Sequence, residues 1–188
     1  MATTSDIRNG LCIRYNNDIY KIIEFLHVKP GKGPAFVRTK MKSVTNGKVL
    51  DNTFSAGHKL EDVRVETHKF QFLYNDGEYY HFMNNEDYTQ IRLLEAALDR
   101  PDLMKEGEVV TIQINTEDNM PLSVEMPATV ILEVTATEPG IKGNTATNAT
   151  KPATVETGAS VNVPLFINEG DMIKIETAKG TYQERIKS

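Results

Sequence analysis

Phe70-Gln71-Phe72-Leu73-Tyr74-Asn75-Asp76-Gly77-Glu78-Tyr79-Tyr80-His81-Phe82-Met83 decides how the rest of the chain is read. Two runs rich in aromatic, strand-favouring residues flank Asn75-Asp76-Gly77, a trio suited to a tight turn. The pattern predicts a β-hairpin. The same grammar recurs on both sides. Upstream, Cys12–Tyr15 and Ile19–Phe25 flank Asn16-Asn17-Asp18, Ala35–Met41 follows Pro30-Gly31-Lys32-Gly33-Pro34, and Asn46-Gly47 separates two further short segments. Downstream, Val109–Ile114 and Ser123–Met126 bracket Glu117-Asp118-Asn119, and a new run opens at Thr129–Thr137 after Pro127. Met172–Thr177 alternates cleanly, turns at Lys179-Gly180 and resumes over Thr181–Ile186. Short β-rich runs punctuated this often indicate an all-β protein of barrels or sandwiches.

One stretch reads differently. Gln90–Leu98 holds good helix formers with apolar residues at 91, 94 and 98, and Pro101 stops it, so a helix is expected there, with an isolated turn near Asn85. Gly140–Ala153, rich in Gly, Thr, Asn and Ala, reads as a mobile loop before the β pattern resumes.

The 188 residues are 39% hydrophobic and 25% charged, a balance that excludes a disordered chain. No apolar run approaches the roughly 20 residues of a membrane span, and the N-terminal residues lack a basic-then-apolar leader. Cys12 is the single cysteine and has no intramolecular partner. A cytoplasmic monomer without membrane contact is the expectation. Net charge is −5, but unevenly spread: residues 1–64 carry 11 Lys and Arg against 6 Asp and Glu, whereas residues 65–188 carry 10 against 20. A basic head can approach RNA, and an acidic body is unsuited to wrapping it. The charge shift near Arg64 and the break at Pro127 divide the chain into 1–64, 65–127 and 128–188. Each unit would be roughly 25–30 Å across, and three in line would span about 80 Å.

Candidate chemistry is sparse. Lys32 sits between two glycines with a proline outside each, which holds one long cation at a narrow tip. The plain alternative is a solvated turn. Gly33-Pro34 leads into a strand rather than a helix, so a phosphate-binding loop is a poor reading. His27, His58, His68 and His81 share no spacing with a nucleophile or carboxylate. The carboxylates are scattered, and no cluster has metal-ligand spacing. Phe70, Phe72, Tyr74, Tyr79, Tyr80 and Phe82 suit either base stacking or a barrel interior, and acidic neighbours favour the interior. Nothing assembles a catalytic site, and neither a cofactor nor a metal is expected.

Three blocks then carry a resemblance. Lys151-Pro152-Ala153-Thr154-Val155-Glu156-Thr157-Gly158, continuing through Val163-Pro164 to Gly170, resembles the signature of the bacterial elongation factor P family. Tyr74-x-Asp76-Gly77-Glu78 with Tyr80-x-Phe82-Met83-Asn84 matches that family's second-domain pattern, and Pro30-Gly31-Lys32-Gly33 with Ala35-Phe36 its first-domain tip. The resemblance implies an N-terminal SH3-like (KOW-type) barrel carrying Lys32, followed by central and C-terminal OB-fold barrels, in an L-shaped, tRNA-like arrangement. It implies a non-enzymatic factor that enters the 70S ribosome beside the P-site peptidyl-tRNA and relieves stalling at consecutive prolines. Lys32 would steady the CCA end, supported by Pro30, Gly31, Gly33 and Pro34, with Arg38 a further contact to tRNA or rRNA. A lysine-modifying enzyme acting on Lys32 is an implied partner, with loop stiffening by Pro34 as the alternative. Gly143, Asn144, Thr145 and Ala146 correspond to a family loop near the exit-site codon, where Asn144 replaces an aspartate, and Tyr182 and Arg185 match the family's ending. A related paralogue and a generic OB-fold RNA-binding protein are the rival readings.

Overall fold

The computed structural model describes residues 1–140 and 149–186. Three antiparallel sheets follow one another along the chain. The first holds β1 (Ala2–Thr3), β2 (Cys12–Tyr15), β3 (Asp18–Val28), β4 (Phe36–Ser43), β5 (Val49–Ser55) and β6 (Lys59–Asp62), in the order β1-β6-β2-β3-β4-β5. The second holds β7 (Val65–Asn75), β8 (Tyr79–Asn84), β9 (Gln90–Leu94), β10 (Val109–Asn115) and β11 (Pro121–Glu125), ordered β11-β10-β7-β8-β9. The third holds β12 (Thr129–Thr137), β13 (Thr150–Val155), β14 (Ser160–Pro164), β15 (Met172–Glu176) and β16 (Thr181–Ile186), ordered β14-β13-β12-β15-β16, and its two edge strands approach each other to close the barrel. The all-β expectation holds throughout the described residues.

Turn chemistry sets the registers. Asn16 and Asn17 both take positive φ, 50° and 62°, and Tyr15 pairs with Asp18, so β2 and β3 join through the two-residue turn that matches strand twist. Asp18 then pins the corner by accepting hydrogen bonds from Ser43 Oγ, Thr45 Oγ1 and the Ile19 amide. Partial burial opposes ionisation of its carboxyl, but those three donors together hold it below the ordinary carboxylate range.

Each sheet buries one face. In β12 the inward positions are Val130, Leu132 and Val134, opposite Ala153 and Val155 of β13 and Val161 and Val163 of β14. A one-residue slip would turn that whole set to solvent. Lys151 also points inward, only 7% exposed, and its Nζ donates to the Glu138 carbonyl at 2.6 Å. Its stem fills apolar space while its head is satisfied at the rim. The most specific stretch of the sequence is thus a packing element. Phe70, Phe72 and Phe82 fill the second core, with Tyr80 packed against it. Tyr74 instead lies outside and stacks on His81 at 4.5 Å, and Tyr79 lies under Arg92 at 4.7 Å.

The helix expected over Gln90–Leu98 does not form. Gln90–Leu94 is strand β9, paired with Tyr79–Met83 of β8, and only Glu95–Ala97 makes a single 3₁₀ turn. Ile91 and Leu93 face inward while Leu94 is 47% exposed, so the working period is two. Nine residues are too few to sustain a helix on propensity alone, and the open edge of β8 offers a ladder of hydrogen bonds instead. Near Asn85, the Tyr88 amide donates to the Asn84 carbonyl, so the expected turn survives only as the β8–β9 connection. The loop expected over Gly140–Ala153 is shorter than read, because β13 begins at Thr150.

Candidate functional site

The β3–β4 hairpin builds the tip. Its pairing runs from Tyr20↔Ser43 to Val28↔Phe36, with an irregularity between Ile22 and Glu24, and seven residues, Lys29 to Ala35, turn the chain. Pro30 and Pro34 carry no amide proton and restrict the backbone at the base of the turn. Gly33 takes φ 110°, a conformation that side-chain-bearing residues rarely adopt, whereas Gly31 is not in that region. The glycine requirement therefore falls on Gly33 alone. Lys32 is exposed, and among the described residues no carboxylate lies within ion-pair distance of its amine.

Arg38 shares this hairpin. It sits on β4, exposed, paired with Leu26 of β3 and Thr53 of β5, and its guanidinium lies 5.5 Å from the Phe36 ring centre. At the base, Lys40 is neutralised by Glu24 at 3.2 Å. Residues 25–50 hold six cations (Lys29, Lys32, Arg38, Lys40, Lys42 and Lys48) and no carboxylate at all. Sequence reasoning passed over Lys29, and that acid-free run was the signal for it. The hairpin is a cationic finger whose charge is uncompensated towards its end. It can attract a polyanion and hold it by charge-assisted contacts.

The remaining candidates lie elsewhere. Tyr182 packs against the third core, and Arg185 is held by Asp171 at 3.6 Å and by the Phe166 ring at 5.4 Å. Both belong to β16 in the third sheet, apart from the Lys32 hairpin. Gly143, Asn144, Thr145 and Ala146 lie outside the described residues.

The histidines occupy four unrelated settings: His27 against Phe25, His58 against Phe54, His68 beside Glu66 and Glu86, and His81 on Asp76. Asp76 accepts from His81 and from the Tyr79 and Glu78 amides, and these bonds, His81 foremost, hold its carboxyl far below the ordinary range. Burial pushes the Cys12 thiol up to about 11, which leaves it an unreactive packing group. Among the described residues no three His, Cys, Asp or Glu side chains are grouped to hold a metal ion, and no helix is long and apolar enough to cross a membrane.

Comparison with known proteins agrees with this geometry. The family model for the elongation factor P KOW-like domain matches residues 3–60, that for its OB domain residues 65–124, and that for its C-terminal region residues 130–185. Elongation factor P of Christiangramia forsetii is 85% identical and that of Flavobacterium johnsoniae 74%, each alignment covering 100% of both chains. A solved initiation factor 5A from Methanococcus jannaschii aligns at 17% identity with a TM-score of 0.49, over 65% of this chain and 92% of that one. Full-length identity at this level, on three matched domains in order, makes this a translation factor rather than an enzyme, and the chain belongs to the elongation factor P family.

Proposed function

We propose that this factor binds the 70S ribosome in the cytoplasm, as a monomer, next to the P-site peptidyl-tRNA, and speeds peptide-bond formation between consecutive prolines. Residues 1–64 act as the tip-bearing domain, 65–127 as the central OB domain and 128–188 as the C-terminal one. Lys32 is the working residue. The observation that carries the reading is its exposed amine, without an ion-pair partner among the described residues, at the end of a hairpin that lies in a run, 25 to 50, holding no carboxylate. Proline is a poor acceptor and an awkward donor, so the reacting ends drift out of alignment. An ammonium set against the phosphates of the CCA end restrains that drift, and alignment alone lowers the barrier without any proton passing through the factor.

Pro30 and Pro34 stiffen the base of the turn, Gly31 and Gly33 keep its tip narrow, and Lys29 and Arg38 add contacts to tRNA or rRNA. Tyr182, Arg185 and the 143–146 loop belong to a second contact region towards the small subunit. The acidic remainder of the chain keeps the factor off free RNA. Lys32 is also the acceptor for a lysine-modifying enzyme in the native host, and an unmodified intact mass there removes that partner.

In a reconstituted system translating a Pro-Pro-Pro stretch, Lys32→Ala should lower the stimulated rate. One charge-assisted contact is worth about 1.5–3 kcal/mol, so the loss is about tenfold to a hundredfold. Equal rescue by wild type and Lys32→Ala overturns the reading.

A further inference from the structure

The segment from Leu98 to Leu103, where a helix was expected to end, touches every barrel. Leu98 is 4% exposed in the second core and bridges Val124. The next residue turns to the first barrel: Asp99 faces Lys42 Nζ at 3.2 Å and Lys21 Nζ at 3.9 Å, and Lys21 also lies 3.8 Å from Glu125. Beyond it the chain turns to the third barrel. Arg100 forks onto Asp102 at 2.8 and 2.7 Å and donates to the Thr177 carbonyl at 3.3 Å. Thr157 Oγ1 donates to the Asp102 carbonyl at 2.6 Å, and Leu103 is wholly buried in the third core. Gly180, at φ 65°, lets the β15–β16 turn nest on Arg100; a Cβ there would come within 2.7 Å of both terminal guanidinium nitrogens.

We propose that Leu98–Leu103 is a three-way clasp that, beside the buried cluster of Cys12, Ile19, Val63 and Leu122 and the Arg14–Glu117 ion pair, sets the angle between the first barrel and the other two, with Asp99 as its positioning residue for Lys32. Domains joined by an ordinary linker move relative to each other. Here one short run with Pro101 inside it is anchored by a core leucine at each end and by ions between them. The distance from Lys21, where the clasp grips β3, to the tip is about 30 Å at strand rise, so a 5° rotation would displace Lys32 by about 2.5 Å. An error of about 1 Å already costs a well-aligned reaction about a hundredfold. The link to Lys32 rests on the function proposed above, whereas the clasp itself does not.

The test uses the free full-length protein with spin labels on cysteines introduced at Ser55 and Gln183, both exposed. Cys12, 2% exposed, stays unlabelled. Asp99→Lys sets a third cation against Lys21 and Lys42 and should at least double the width of the label-to-label distance distribution, with the circular dichroism spectrum unchanged. Adding Lys42→Glu restores the opposite pairing and should narrow it again. In reconstituted translation at saturating factor, Asp99→Lys should lower the stimulated rate about tenfold, and the double variant should recover it. An unchanged width in Asp99→Lys, or no recovery in the double variant, overturns the clasp. A broadened distribution with unaltered stimulation overturns the positioning role. Wild-type protein that gives no stimulation overturns the proposed function instead, and the distance widths still decide the clasp.

Discussion

Leu103→Ala tests how the third barrel is completed. Leu103 precedes the third sheet by more than twenty residues, yet its side chain is fully buried among Val130, Leu132, Val134 and Ile173. Alanine removes three carbons, about 2.4 kcal/mol at roughly 0.8 kcal/mol for each. The cavity left in a rigid barrel adds to this, giving about 3–4 kcal/mol, within the range of about 2–5 kcal/mol usual for such truncations. A unit of about sixty residues commands only about 3–9 kcal/mol in total, so the third barrel should approach its stability limit. The chain has no tryptophan, which makes amide hydrogen exchange the suitable assay. Protection at Leu132, Ala153, Val161 and Val163 should fall by at least a hundredfold, since each 1.4 kcal/mol is a factor of ten. Leu26→Ala, at a position 58% exposed, is the control and should change nothing there. A loss under tenfold in the third barrel would mean that Leu103 is not part of that core.

Two further outcomes follow from the geometry. Gly33→Ala forces a side chain into φ 110° and should reduce stimulation while the melting midpoint stays within about 2 °C, whereas Gly31→Ala, whose Cβ meets nothing within 4 Å, should behave as wild type; equal loss in both would contradict this. Asp18, Asp76 and Asp102 are all held below the ordinary carboxylate range, so they bind fewer protons folded than unfolded near pH 4. Their stabilisation is present above about pH 4 and is lost as the pH falls through the lower folded values, so the midpoint should drop only below about pH 4; a decline beginning near pH 6 would contradict the assignment.

Most of the fold was legible because turn residues and alternation speak locally. Asn16-Asn17, Asp76-Gly77 and Lys179-Gly180 each announce a hairpin, and the alternation in Met172–Thr177 matches the observed strand. Gln90–Leu98 misled because apolar residues at 91, 94 and 98 suit a helix while Ile91 and Leu93 suit the face of a strand, and the deciding partner, β8, is supplied by tertiary structure. The same holds for Leu98–Leu103: Asp99, Arg100 and Leu103 look like an ordinary segment until three separate barrels come to meet them. At the tip, Lys32 stood out through its glycines and prolines. That only Gly33 needs positive φ, and that Arg185 is engaged by Asp171 and Phe166, depend on distances no spacing encodes.

On the function proposed above, the Lys32 amine reaches the 3′ end of the P-site tRNA. A structure of the factor on a ribosome stalled at consecutive prolines tests it most directly. Lys32 Nζ should lie within about 4 Å of a phosphate or ribose oxygen of the CCA end, an ion-pair or hydrogen-bond separation. A hairpin turned away from the peptidyl-transferase centre would contradict it.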